Sequence, residues 1–421
     1  MRDRIRFYYN RIREHLWVKP LVITILSIIA AFLARLADQV QFLESVPSVA
    51  LESLNVLLSI TSGSMLGIAT FAVGSMLTAY ASASSTATPR SFPLVIADDV
   101  SQNALSSFIG AFIFSIVATV ALENDYYGQA GRFFLFLMLV VVFAVIIFNF
   151  IRWIDRIARL GRLGNTSDKV EQVAEEAMLR RRRQPTMGAK RAVGDSQKGT
   201  PVYAKTVGYV QRIDFPILQM IAERRDLEIT VAALPGTFTY PDQPLAYLRK
   251  TKNLSNKEIR MDGIEDTFII AKDRAFDEDP RFGLVVLSEI ASRALSPAVN
   301  DPGTAIDIIG SFVRIFTLWA QVDEEEIDEG IDYDRIWAPE LSLQDMFEDA
   351  FMGIARDGAS TIEVGLRLQK AFRGLAALDH GEMEKVALDQ AEVALHYAEK
   401  ALILPEEINQ IKAVYQSIMA E

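Results

Sequence analysis

The sequence predicts an α-helical membrane domain of four transmembrane helices followed by a cytoplasmic α+β domain, a small β unit leading into a helical bundle. Three observations predict this. Apolar segments near residues 17–36, 53–82, 101–122 and 133–153 each reach the length of about 20 residues that a helix needs to cross a hydrocarbon core of roughly 30 Å. Charge divides along the chain: residues 1–164 carry 13 Lys/Arg against 10 Asp/Glu, a net of +3, whereas the whole chain is −11, leaving −14 for residues 165–421. Strand-like alternation begins only after residue 200, and helical periodicity takes over from about residue 273.

The first span lies between Lys19 and Arg35, whose charged heads can snorkel from its ends. No small-residue cleavage site follows it, so it is expected to remain as an anchor. The second uncharged run, Ser53 to Thr88, has 36 residues and would reach about 54 Å as one helix. Such a run either continues beyond the membrane or breaks at its glycines, and a break at membrane depth requires burial or a cavity wall. The fourth, FFLFLMLVVVFAVIIFNFI, is bulky and aliphatic, as a lipid-facing helix is. Arg2, Arg4, Arg6, Arg11, Arg13 and Lys19 precede the first span, Arg90 lies between the second and third, and Arg152, Arg156, Arg159 and Arg162 follow the fourth. The other two loops carry no Lys or Arg, so the positive-inside rule predicts a multi-pass protein of the inner (plasma) membrane with both termini cytoplasmic.

The second helix places Ser59, Gly63, Gly67, Thr70, Gly74 and Thr78 on one face, at steps of three and four. Small residues let helix backbones approach closely in lipid, and Gly63–Gly67 is a GxxxG pair. The face fits tight packing within or between subunits, or the polar lining of a conduction or substrate path. The third helix has a weaker small face through Asn103, Ser107, Ala111 and Ser115. No ionisable residue falls at a membrane midplane, which disfavours a proton pump or voltage sensor. A pore here would have neutral walls and acidic mouths, Glu44 and Glu52 outside and Asp98 and Asp99 inside.

Residues 165–200 read as a charged linker, a helix running into disorder, with Arg180 to Arg183 able to touch anionic headgroups or to form a solvated helix end. The β unit spans 201–272: VYAKTVGYVQRID as a strand, a short helix from Phe215 to Arg225, LEITVAAL as a half-buried strand, and a turn at Pro235-Gly236. The mainly helical region 273–421 contains Arg281–Leu295, then Pro302–Ala320 begun by the Asp301 cap, an exposed acidic loop from Asp323 to Asp334, and four further helices.

Composition excludes several chemistries. The chain has no cysteine, so disulfides, thiolate metal sites and cysteine nucleophiles are out. Its three histidines, His15, His380 and His396, are far apart. The acidic second half is unsuited to nucleic acid, which needs clustered Lys/Arg. No GxGxxG, Walker loop, HExxH or GxSxG occurs, so no enzyme activity and no cofactor are expected.

Several blocks resemble the predicted-membrane-protein family catalogued as domain of unknown function 2254. They are TPR at Thr88–Arg90, QNALSSFIGAF from Gln102, GYVQRID, the PGTF turn, Arg274 to Gly283, and ALSPAVNDPGTA from Ala294 to Ala305. The resemblance covers nearly the whole chain and implies an N-terminal membrane part and a cytoplasmic C-terminal part, with no activity attached. The family's usual Arg-Thr is Arg274-Ala275 here, and its Gln-Asp is Glu278-Asp279.

Around those blocks, Arg274, Asp277, Glu289, Arg293, Ser296, Asn300, Asp301 and Thr304, with Asp279 beside them, are the candidates for a cytoplasmic ligand pocket or a structural clasp. An anion at the start of the Pro302 helix and a Mg²⁺ or Ca²⁺ held by the carboxylates are the two ligand classes. Two functions follow. One is an oligomeric channel- or transporter-like pore with a cytoplasmic regulatory domain, which requires a homo-oligomer because four helices are too few to enclose a path. The other is a non-conducting, membrane-anchored sensor or scaffold that binds a small ligand, an ion or a protein partner. Membrane lipids are partners in both.

Overall fold

The computed structural model describes residues 15–39, 46–96, 98–159, 163–192, 199–251, 262–322, 324–328, 330–378 and 381–419. It divides into two compact units, residues 1–166 and 167–421. Glu44, Asp323 and His380 lie outside the described residues.

The first unit is helical: α1 (Val18–Leu33), α2 (Leu51–Thr86), the short α3 (Phe92–Ile96), α4 (Asp99–Glu123) and α5 (Gln129–Arg159). The Thr88-Pro-Arg block builds the turn between α2 and α3: the Thr88 hydroxyl accepts from the Arg90 N–H, and the Ser91 hydroxyl donates to the Thr88 carbonyl. The α2 helix runs unbroken for 36 residues, so it continues past a hydrocarbon core rather than breaking at its glycines. The centre of the unit is α4, which packs against α1, α2 and α5. Its small residues make this possible. At Gly110 a Cβ would overlap Ile23 Cγ2 and come within 3.0 Å of Ser27 Oγ. Phe108, Phe150 and Trp153 form an aromatic cluster beneath the same helix.

The second unit begins within α6 (Leu163–Arg183), so most of the segment read as linker is regular helix. Among the described residues two sheets follow. The larger has the order β1-β8-β4-β6-β2 (Ala189–Arg191, Tyr333–Ala338, Leu227–Val231, Pro244–Lys250, Thr200–Tyr203), and the smaller is β5-β3-β7 (Phe238–Thr239, Gly208–Ile213, Phe268–Ala271). Helix α7 (Phe215–Arg225) shares their core: its Leu218 and Ala222 are buried with Val210, Ile229, Leu245 and Ile336.

The sheets correct the reading of the sequence at three points. VYAKTVGYVQRID is two strands in different sheets, not one. Strand β1 falls in the supposed linker, and β8 begins inside the supposed exposed loop. Strand β8 pairs in parallel with β4, Ile229 opposite Ile336. A pairing so distant in sequence leaves no local turn signal.

Helices α8 (Pro280–Ala294), α9 (Pro302–Ala320), α10 (Leu343–Asp357), α11 (Ile362–Ala376), α12 (Glu382–Ala401) and α13 (Pro405–Met419) complete the unit. Phe312, Phe316, Phe347, Phe351 and Phe372 stack in their core with centroids 4.3–5.9 Å apart. Each buried Phe contributes roughly 1.5–3 kcal/mol. Among the described residues five helical stretches are long and apolar enough to cross a membrane, one more than the sequence reading gave. The fifth is α9, whose Ile308, Ile309, Phe312, Ile315 and Phe316 are all buried by protein.

Candidate functional site

In the first unit the small face of α2 is open. Leu54, Leu58, Thr61, Met65, Ala69, Ala72 and Met76 face inward and are buried, whereas Ser59, Gly63, Gly67, Thr70, Gly74 and Thr78 are all exposed. A Cβ added at Gly63, Gly67 or Gly74 would meet nothing within 4 Å. Among the described residues nothing of the chain packs on this face at its glycines. Its two threonines are satisfied locally: the Thr70 hydroxyl donates to the Leu66 carbonyl and that of Thr78 to the Gly74 carbonyl.

At its Ser59 end the face runs into a cleft of about 540 Å³ lined by Glu52, Asn55, Ser59, Thr119 and Glu123. Two carboxylates, an amide and two hydroxyls supply the oxygen ligands that hard cations prefer. The Asn55 Oδ1 is buried and accepts no hydrogen bond among the described residues. The other end differs from expectation. Asp98 is buried, paired with Arg156 at 2.6 Å and capping α4 through the Ser101 N–H, and Asp99 pairs with Lys19. The carboxylates of Asp98 and Asp99 are thus each paired with a cation.

In the second unit the family-like blocks converge on Asp279, which is 2% exposed. The Arg274 guanidinium grips it with both arms, at 2.7 and 3.0 Å, while lying 5.2 Å above the Phe282 ring. The same carboxylate caps α8 through the Phe282 N–H. The PGTF turn closes over it: Gly236 has φ +96°, and a Cβ there would sit 2.5 Å from an Asp279 oxygen. From GYVQRID, buried Arg212 approaches Glu278 at 3.9 Å, and Gln211 donates to the Asp273 carbonyl. Burial holds the Asp279 carboxyl above the usual carboxylate range, against the opposing pull of Arg274 and Arg181.

Helix α6 supplies what the sequence reading missed. Arg180 donates to the Asp277 carbonyl and Arg181 to the Glu278 carbonyl. Arg182 lies 5.4 Å over the Trp319 ring, and Arg183 pairs with Glu326 at 2.8 Å. Arg180 to Arg182 are thus engaged by the protein itself, while Arg183 stays at the surface beside Glu326. Arg181 is 5% exposed, and its Nη1 finds no hydrogen-bond acceptor among the described residues. Burial pushes its pKa down to about 10, so it remains charged at neutral pH. A signal was present: Arg181 follows Ala174, Ala177 and Met178 at helical spacing, on the buried stripe of α6. Further along that face, Glu171 accepts two hydrogen bonds from Arg314 and one from Ser311.

The eight residues proposed as one pocket form two groups. Arg274 and Asp277 stand at the start of α8, while Arg293, Ser296, Asn300, Asp301 and Thr304 surround its far end, about 21 Å away along the helix. There Asp301 caps α9 through the Thr304 N–H and hydroxyl, Ser296 donates to the Arg293 carbonyl, and Asn300 takes φ +50°. These are contacts of a helix–helix corner. Glu289 lies between the groups, half-buried on α8. Among the described residues no three of His, Asp and Glu converge as metal ligands.

No curated protein and no solved structure matches the chain. A multi-pass architecture, helices packed around α4 and a separate α/β unit nevertheless accord with one family description, predicted membrane protein (DUF2254), whose model matches residues 13–374, and to that family the chain belongs.

Proposed function

We propose that the protein is the subunit of an oligomeric, channel- or transporter-like pore in the plasma (inner) membrane, with both termini and the second unit in the cytoplasm. In this reading α1, α2, α4 and α5 span the bilayer and α9 belongs to the core of the second unit, which acts as a regulatory domain. The observation that carries it is the α2 face from Ser59 to Thr78. Its glycines, serine and threonines are uncharged and open, set among exposed Ile60, Phe71 and Leu77, and the face meets at Ser59 the cleft lined by Glu52 and Glu123. Several copies of α2 around an axis would give a neutral wall with carboxylates at one entrance, which favours cations.

Because the chain has no cysteine, Gly67→Cys places one thiol on that face, where a Cβ meets nothing. In sealed vesicles a pore predicts modification by a membrane-impermeant thiol reagent and block of a cation flux. A thiol that reacts with no aqueous reagent, in a protein that passes no ion, removes the proposal.

One observation favours a sensor or scaffold instead: the buried guanidinium of Arg181, with one nitrogen unsatisfied beside Glu278 and Asp279. That reading predicts a thermal shift with phosphate or a small carboxylate, lost in Arg181→Met.

A further inference from the structure

A second cleft, of about 480 Å³, lies on the first unit between α1, α4 and α5, away from the α2 face. Its walls are Val18, Val22 and Ile23 of α1 and Val141, Val142, Val145 and Ile146 of α5, with Gly110 and Ala111 of α4 as its floor. The close approach of α1 to α4 at Gly110 makes the floor narrow, and it opens sideways between Val22 and Val145, both well exposed. From Lys19 to Ser27 it runs about 12 Å along α1.

One end has a different chemistry. Lys19, Asn103 and Asn149 line it together with the hydroxyls of Ser106 and Ser107. Both hydroxyls donate to their own helix. An ammonium has three donors; the Lys19 Nζ gives one to Asp99 and one to Asn103 Oδ1, and the third has no acceptor in the chain among the described residues. Asn149 is the one amide in the apolar run of α5, is half-buried, and has no side-chain partner among the described residues. An amide in that position otherwise faces hydrocarbon, a costly arrangement. Hydrogen-bond donors therefore cluster at one end of a slot whose remaining length is aliphatic apart from the Ser27 hydroxyl.

We propose that this cleft binds one phospholipid, an acyl chain lying between the α1 and α5 walls and the phosphate accepting from Lys19, Asn103 and Asn149. A slot this narrow matches a single chain better than a helix about 10 Å across. The donors select a phosphate over an uncharged headgroup. A second copy of the protein, the competing occupant, would bring no acceptor for the Lys19 ammonium from an apolar helix face.

The test uses the full-length protein, reconstituted into vesicles of equal phosphatidylethanolamine and phosphatidylglycerol, extracted in mild detergent, and weighed by native mass spectrometry. Wild type is expected to retain one phospholipid per chain. Val145→Trp fills the slot from an exposed position and should abolish retention, while Val140→Trp, outside the lining, should not. Lys19→Met with Asn149→Leu leaves the slot but removes donors, and should weaken retention about tenfold. Equal retention in all variants overturns the proposal. So does loss in Val145→Trp alone, which would mean a hydrocarbon slot without a phosphate seat. A disulfide-linked dimer formed by Val145→Cys would put protein where the lipid is placed, and likewise overturns it.

Discussion

Helix α6 meets α8 where Gly283 faces Ala174, and Gly283→Ala tests how tightly the two are joined. In an open helix this change stabilises by about 1 kcal/mol, because glycine spends more backbone entropy on folding. Here the new methyl overlaps the Ala174 Cβ and lies 3.0 Å from its Cα. A flexible side chain could swing aside, but a backbone atom cannot, so the cost belongs at the upper end of the roughly 1–3 kcal/mol seen for overpacking. The balance is a loss of about 2 kcal/mol. For a domain of this size that lowers the melting temperature by about 4–8 °C. Thermal unfolding in detergent, followed by near-UV circular dichroism, measures it. Ala174→Gly in the same chain removes the overlapping methyl, so the double mutant should lose less than the two single changes together, a coupling of about 1–2 kcal/mol. A Gly283→Ala protein as stable as wild type, or a cycle with no coupling, refutes the close approach.

Four further outcomes are expected. Gly236→Ala combines a positive φ with a methyl driven at the Asp279 carboxylate, and should cost more than about 2 kcal/mol by chemical denaturation. Asp301→Ala removes the cap of α9 and should cost about 1 kcal/mol without changing any ligand response. Hydrogen bonds from Arg314 and Ser311 outweigh burial and hold Glu171 below the usual carboxylate range. Its contribution is therefore full above that range and fades as pH falls through the lowered value; Glu171→Gln should cost about 1 kcal/mol at neutral pH, because the exposed Arg314 stays solvated, and should flatten the acid limb of a stability–pH curve. Gly63→Leu meets open space and should leave the melting temperature within about 2 °C, while changing the oligomers trapped by cross-linking.

The helices were legible because their signals are local. Asp214, Asp279, Asp301 and Ser342 each cap a helix they immediately precede, and Phe215–Arg225 falls where the pattern put it. The small face of α2 was equally plain, since it needs only the period of one helix. The sheet order was not, because β8 reaches β4 across about a hundred residues. Nor was the engagement of Arg180 to Arg183: four adjacent cations look like a solvated end unless the acceptors, two of them backbone carbonyls of Asp277 and Glu278, are known. The eight candidate residues do not meet at one place for a related reason. Proximity along the chain joined Arg274 to Thr304, and the rigid length of α8 between them keeps them apart.

The threonines of α2 carry one more implication. Thr70 and Thr78 each spend their hydroxyl proton on the carbonyl one turn behind, so neither threonine of the stripe makes a polar demand on whatever lies alongside. Solvent, fatty tail or sister helix can trade places there without stranding a donor. Where such a surface is covered, fit alone decides what covers it.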